Sequence, residues 1–248
     1  MSFLVQVLHW FTAGAHWQGP DGIPHRALEH TLMSGGAVLI ALAIAVPVGV
    51  GLGHTGKGGS AAINVGNIGR ALPSFGILVL FAQLFGLRGW PGFGARPALV
   101  ALVLLAVPPI LTNAYVGMRG VDAEVKDAAQ GMGMTGGQVL RRVELPLALP
   151  LVMAGVRTST VQVVATATLA AVTAWGGLGR YIVDGFAQRD DVKIFAGAVL
   201  VGLLAVVTEL SLALVQRALS AGGSRPRGRE RHKNRAFVGA APAPETVV

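Results

Sequence analysis

Cysteine is absent from the sequence. That excludes a disulfide framework and any thiolate metal site or nucleophile. Charge is scarce too: Asp, Glu, Lys and Arg together make up 13% of 248 residues, where a soluble domain carries about 25%. The six histidines (His9, His16, His25, His30, His54 and His232) are scattered and share no metal-ligand spacing. With no nucleophile–base pair in evidence, no constellation supports catalysis. The N-terminus, Met1 to Trp17, lacks a positively charged stretch and a small-residue cleavage site, so it does not read as a signal peptide.

What is present is hydrophobic: 52% of residues, with 35 glycines. The apolar residues fall in long uncharged runs, which marks an all-α polytopic membrane protein. Five spans are expected, over roughly Thr31–Gly53, Ala71–Leu87, Pro97–Met118, Leu145 or Pro150 to Ala174, and Ile194–Gln216. About 20 helical residues cross the ~30 Å hydrocarbon layer. Residues 1–30 read as an extracytoplasmic, interfacial segment, with Trp10, Phe11 and Trp17 suited to the headgroup zone. Residues 31–217 form the transmembrane domain, and 218–248 read as a disordered basic tail. The net charge of +8 does not argue for nucleic acid, because seven basic residues lie together between Arg217 and Arg235.

Five spans place the termini on opposite sides. Lys57, Arg70, Arg119, Lys126, Arg141 and Arg142 share a side with the seven basic residues of the tail, whereas Arg26, Arg88, Arg96, Arg180, Arg189 and Lys193 share the other. The richer side is cytoplasmic by the positive-inside rule. The N-terminus is then outside, and the loop around Asp127 and the C-terminus are inside.

That loop carries Asp127-Ala128-Ala129, three residues, Gly133, nine residues, then Val143-Glu144-Leu145-Pro146. Residues 122–139 read as a short amphipathic helix broken at glycines, with Ala128, Ala129 and Met132 on one face and Asp122, Lys126 and Gln130 on another. The spacing resembles the EAA loop of bacterial ABC-importer permeases: Glu-Ala-Ala, three residues, Gly, nine residues, Ile, one residue, Leu-Pro. Asp127 replaces Glu and Val143 replaces Ile. The resemblance implies a methionine-importer-like permease fold with about five transmembrane helices and a cytoplasmic coupling helix. Asp127, Ala128, Ala129, Gly133, Leu145 and Pro146 would then form the loop that docks on an ATPase. Gly66-Asn67-Ile68-Gly69-Arg70-Ala71-Leu72-Pro73-Ser74, Ala154-Gly155-Val156-Arg157-Thr158, Trp175-Gly176-Gly177-Leu178-Gly179 and Ala196-Gly197-Ala198 resemble segments of the glycine betaine, carnitine and choline branch.

Three partners are implied by that resemblance: a cytoplasmic ATPase, an extracytoplasmic solute-binding protein, and a second permease protomer, either a copy or a paralogue. Membrane lipid surrounds the chain. No cofactor belongs to this chain, since ATP and magnesium would sit on the ATPase. Gly51-Leu-Gly-His-Thr-Gly56-Lys57-Gly58 comes close to a phosphate-binding loop but ends in Gly58, which has no hydroxyl for magnesium. Other ABC permease branches, for amino acids, methionine or an oxyanion, and a non-transporting membrane anchor remain alternatives.

Span four carries Ser159, Gln162, Thr166 and Thr173, whose offsets of 3, 7 and 14 fall on one helical face. Such a stripe lines a solute path or glues helices together. Arg157, in the same span, either pairs or lines a wet path when deep, or snorkels when near the interface. Glu209 on span five is a candidate partner, though near enough to the cytoplasmic end to be solvated.

Overall fold

The structure is a computed structural model that describes residues 2–71 and 73–220. Four helical stretches are long and apolar enough to cross a membrane: Ile23–Thr55, Ala95–Arg119, Gly136–Thr173 and Asp191–Leu219. The candidate for a fifth crossing is a bent pair of helices. We number the α-helices α1 (Phe3–Thr12), α2 (Ile23–Thr55), α3 (Gly59–Ala71), α4 (Ser74–Leu87), α5 (Ala95–Arg119), α6 (Ala123–Gly131), α7 (Gly136–Val139), α8 (Leu145–Thr166), α9 (Gly179–Gln188) and α10 (Asp191–Ser220).

Local chemistry sets the helix ends. Pro24 occupies the first turn of α2, where its missing N–H costs nothing. Gly56 ends α2 with φ 69°, the left-handed cap that glycine adopts without strain. The second expected span is not one straight helix. Pro73 cannot continue α3, so α4 starts afresh with Pro73 as its N-cap. The two arms, Gly59–Gly69 and Ser74–Leu87, meet at 91°. The fourth span also differs from the expectation: its α-helix stops at Thr166, and Ala167–Thr173 continue as a 3₁₀ helix up to Ala174. At its start, Leu140–Glu144 make a π turn in which the Leu145 N–H reaches the Leu140 carbonyl. Pro146 follows and has no N–H to offer the Arg142 carbonyl, so the wider turn sits where α geometry would fail.

Contacts between spans rest on small residues, as expected where lipid removes the hydrophobic drive between helices. A Cβ added at Gly49 would stand 2.7 Å from the Ala114 Cβ, and one at Gly53 would stand 2.4 Å from the Met118 Cβ. Both sequence positions rise together, so α2 and α5 run parallel. The bent α3–α4 pair must therefore carry the chain back across the bundle. Gly155 lies against Asn113 and Pro109, and Gly117 against Ala148, so α8 runs antiparallel to α5. The core between these helices includes Ala37, Ala41, Ala45, Ala101, Leu105, Ala106, Ile110 and Val163.

The N-terminal segment packs partly on protein, while Leu4, Leu8 and Trp17 stay exposed. Trp10 is buried; it stacks on His16 at 4.1 Å and meets Tyr181 of α9 edge-on at 5.4 Å. Phe3 meets Phe195 of α10 at 5.5 Å. Helix α10 extends past the expected end at residue 217 to Ser220, and the basic tail lies outside the described residues.

The Tyr181 hydroxyl donates to the Asp21 carbonyl at 2.5 Å. Burial holds its phenol above the usual range, at about 12. Between pH ~10 and ~12 the folded chain keeps a proton that the unfolded chain has lost, so stability must fall as pH rises through that window. In a Tyr115→Phe background, tyrosinate absorbance of the folded protein is expected to rise near pH 12. A midpoint near 10 would contradict the burial.

Candidate functional site

At one end of the bundle, α6 begins with Asp122, whose carboxylate accepts the Glu124 N–H at 2.9 Å. The helix ends at Gly131 and turns at Gly133, with φ 86°, a conformation that glycine adopts freely. Thr135 and Gln138 then form a capping box at the start of α7. The expected apolar face is divided: Ala129 is buried, whereas Ala128 and Met132 point outward with Asp127. Met132 is 77% exposed. The outward surface is thus a small-residue knob with a flexible apolar tip. Leu145 is half-buried and Pro146 exposed at the start of α8.

Behind this knob lies Glu144, the unassigned position between Val143 and Leu145 of the motif. It is 2% exposed. Its carboxylate accepts from His54 Nδ1 in the last turn of α2 and lies 3.4 Å from Lys126 Nζ of α6. The His54 contact spans 90 residues of sequence, a separation no local pattern reveals.

The polar residues of α8 part company. Gln162 lines a cavity of about 300 Å³ with Gly66, Pro108, Pro109, Thr112, Asn113 and Thr158. Ser159 does not; it is buried and donates to the Ala106 carbonyl at 3.0 Å. Thr166 donates to the Gln162 carbonyl at 2.7 Å. Thr173 leaves the common face because the α-helix has ended; its hydroxyl donates to the Ala170 carbonyl at 2.9 Å. Of the cavity's other polar walls, Thr158 ends the Ala154–Thr158 segment, and Thr112 and Asn113 belong to no motif. The signal for two of them was present in Pro108-Pro109 with polar Thr112-Asn113 one turn later.

Arg157 points away from this cavity. It donates to Gln216 at 2.8 Å and pairs with Glu209, joining α8 to α10. Glu209 is thus an ion-pair partner and not merely a solvated end group. At the opposite end of the bundle, His30 Nε2 donates to the Val164 carbonyl at 2.8 Å. Glu29 accepts the Gly177 N–H at 2.8 Å. These two neighbours on α2 hold the segment where α8 changes to a 3₁₀ helix and turns through Trp175–Gly179.

The chain is 42% identical over 199 residues to the choline transport system permease protein OpuBB of Bacillus subtilis (strain 168), covering 80% of this chain and 89% of that protein. It is 42% identical over 195 residues to the glycine betaine/carnitine/choline transport system permease protein OpuCB of the same organism, covering 79% and 87%. Among solved structures, an inward-facing conformation of the MetNI methionine ABC transporter shares the fold at TM-score 0.67 with 24% identity, over 77% of this chain and 93% of that one. The model of the family "binding-protein-dependent transport system inner membrane component" matches residues 37–221. Long apolar spans packed through glycines, the knob at one end and these likenesses agree: the chain belongs to the family of inner membrane components of binding-protein-dependent transport systems.

Proposed function

We propose that this chain is the permease subunit of an ATP-driven importer for a compatible solute such as glycine betaine, choline, carnitine or proline betaine. The observation that carries this reading is 42% identity, across most of both chains, to permeases named for choline and for glycine betaine, carnitine and choline. The methionine and amino-acid transporters among the structural neighbours are 24% and 15% identical, which supports the shared fold and no particular substrate.

In this reading, Asp127, Ala128, Ala129, Gly133, Leu145 and Pro146 belong to the coupling loop. A separate ATPase grips the outward surface of α6, and its ATP-driven closure tilts the spans. An extracytoplasmic binding protein delivers solute at the opposite end. A second protomer completes the path, toward which the cavity at Asn113, Thr158 and Gln162 contributes polar walls. The basic residues at the α6 end favour a cytoplasmic C-terminus and an outer N-terminus. Arg157 and Ser159 tie α8 to α10 and α5 and fit a framework role, whereas Thr166 and Thr173, which line other cavities, stay candidates for the path.

The test is uptake of labelled glycine betaine into proteoliposomes that hold the chain with its ATPase, its permease partner and its binding protein. ATP-dependent accumulation, competed by choline or carnitine, is expected. Failure to accumulate any of these solutes, while the binding protein loaded with a different ligand stimulates ATP hydrolysis, would sink the substrate assignment.

A further inference from the structure

We propose that Glu144 is a positioning residue for ATP-coupled transport, the pin through which motion of α6 reaches the membrane spans. This rests on the reading of α6 as the coupling helix. Covalently, α6 is joined closely to α5 alone, through Gly120, Val121 and Asp122. On its C-terminal side the chain runs through Gly131, Gly133, Gly136 and Gly137, and glycines yield to torsion more readily than other residues. Side-chain contacts must therefore carry the load toward α2 and α8.

Glu144 is placed for that task. Its two carboxylate oxygens are divided between Lys126 on α6 and His54 at the end of α2, and its own backbone leads directly into α8. One group thus ties three segments together. The residue is almost fully buried, so water cannot readily replace a partner that withdraws. If α6 moves alone, the Lys126 contact breaks and leaves the carboxylate with His54 only. Moving the end of α2 and the start of α8 along with α6 avoids that loss. The neighbouring Gly53–Met118 contact extends the link to α5.

The experiment uses the full complex in proteoliposomes, with E144Q, K126M and K126R compared for basal ATP hydrolysis, its stimulation by loaded binding protein, and uptake. E144Q keeps the shape and loses the charge. E144Q and K126M are expected to retain the ATPase and its basal rate, while uptake per ATP hydrolysed falls by about tenfold, within the usual span of coupling between sites. K126R is expected to recover most of the loss. A merely structural role would lower the amount of assembled complex and leave transport per ATP unchanged, and that result would overturn the proposal. Should E144Q not assemble, K126M against K126R decides alone: equal defects in the two would overturn it. Gly133→Glu, run in parallel, separates the two levels of the argument. Normal uptake by Gly133→Glu would defeat the coupling reading itself. Normal uptake by E144Q beside a defective Gly133→Glu would defeat only the role of Glu144.

Discussion

Gly53→Leu is expected to remove most of the protein from the membrane fraction and to lower sharply the thermal midpoint of what remains. A Cβ at this position would lie 2.4 Å from the Met118 Cβ and 3.0 Å from the Tyr115 carbonyl oxygen. No rotamer of the new side chain relieves a clash made by its first carbon, and Met118 is itself fully buried. The parallel α2–α5 crossing must open. Overpacking of a tight core costs about 1–3 kcal/mol or more, against a net stability of only about 5–15 kcal/mol. The cost rises where close backbone approach is what joins the helices. Gly51→Leu is the control, since an added Cβ there meets no atom within 4 Å among the described residues. Equal yields and midpoints for the two variants would mean that the crossing is looser than the structure shows.

Gly133→Glu is expected to behave in the opposite way, inserting normally and failing in transport. A Cβ at Gly133 meets no atom within 4 Å, so the bundle has no reason to reject it. Backbone strain at φ 86° costs about 1–2 kcal/mol, and it falls on an exposed loop. The injury is to the outward surface that α6 shares with Met132. An unpaired charge forced into a docking interface costs about 2–5 kcal/mol, or roughly 30- to several-thousand-fold in affinity. Uptake is expected to fall by about 100-fold, and the ATPase should no longer co-purify. Gly133→Ala brings the same strain without the charge and should lose little. If Ala and Glu were equally damaging, strain in the turn would be the cause and not a blocked surface.

How much of this was legible in the sequence differs by element. The long spans α2, α5 and α10 announce themselves, because uncharged runs of this length have only one stable use. The Asp127–Pro146 motif was legible because its residues are close in sequence and their spacing is the motif. The 91° bend between α3 and α4 was half visible: Pro73 and the short apolar run at Ala71–Leu87 marked trouble, but not its direction. The break after Thr166 had no local sign, since Ala167–Thr173 contain neither glycine nor proline; what accompanies it is the long-range bond of the Val164 carbonyl to His30 on α2. Arg157 and Glu209 were visible as costly charges, yet their pairing needs the antiparallel register of α8 and α10. Glu144 was hidden by its own setting, a loop in which an acidic residue looks solvated.

Helix α8 is fastened to α2 in two places, through Glu144 and His54 at one end and through Val164 and His30 at the other. The attachment points are 24 residues apart on α2 and 20 apart along the stretch from Glu144, just before α8, to Val164, about 36 Å and 30 Å along the axes. A rigid rod tied to another at two distant points cannot slide along it or splay from it. One freedom is left, rotation about the line through both ties. While those bonds hold, the relative motion of α2 and α8 is a roll, and the walls they present to the interior can exchange faces without either rod changing its depth in the bilayer.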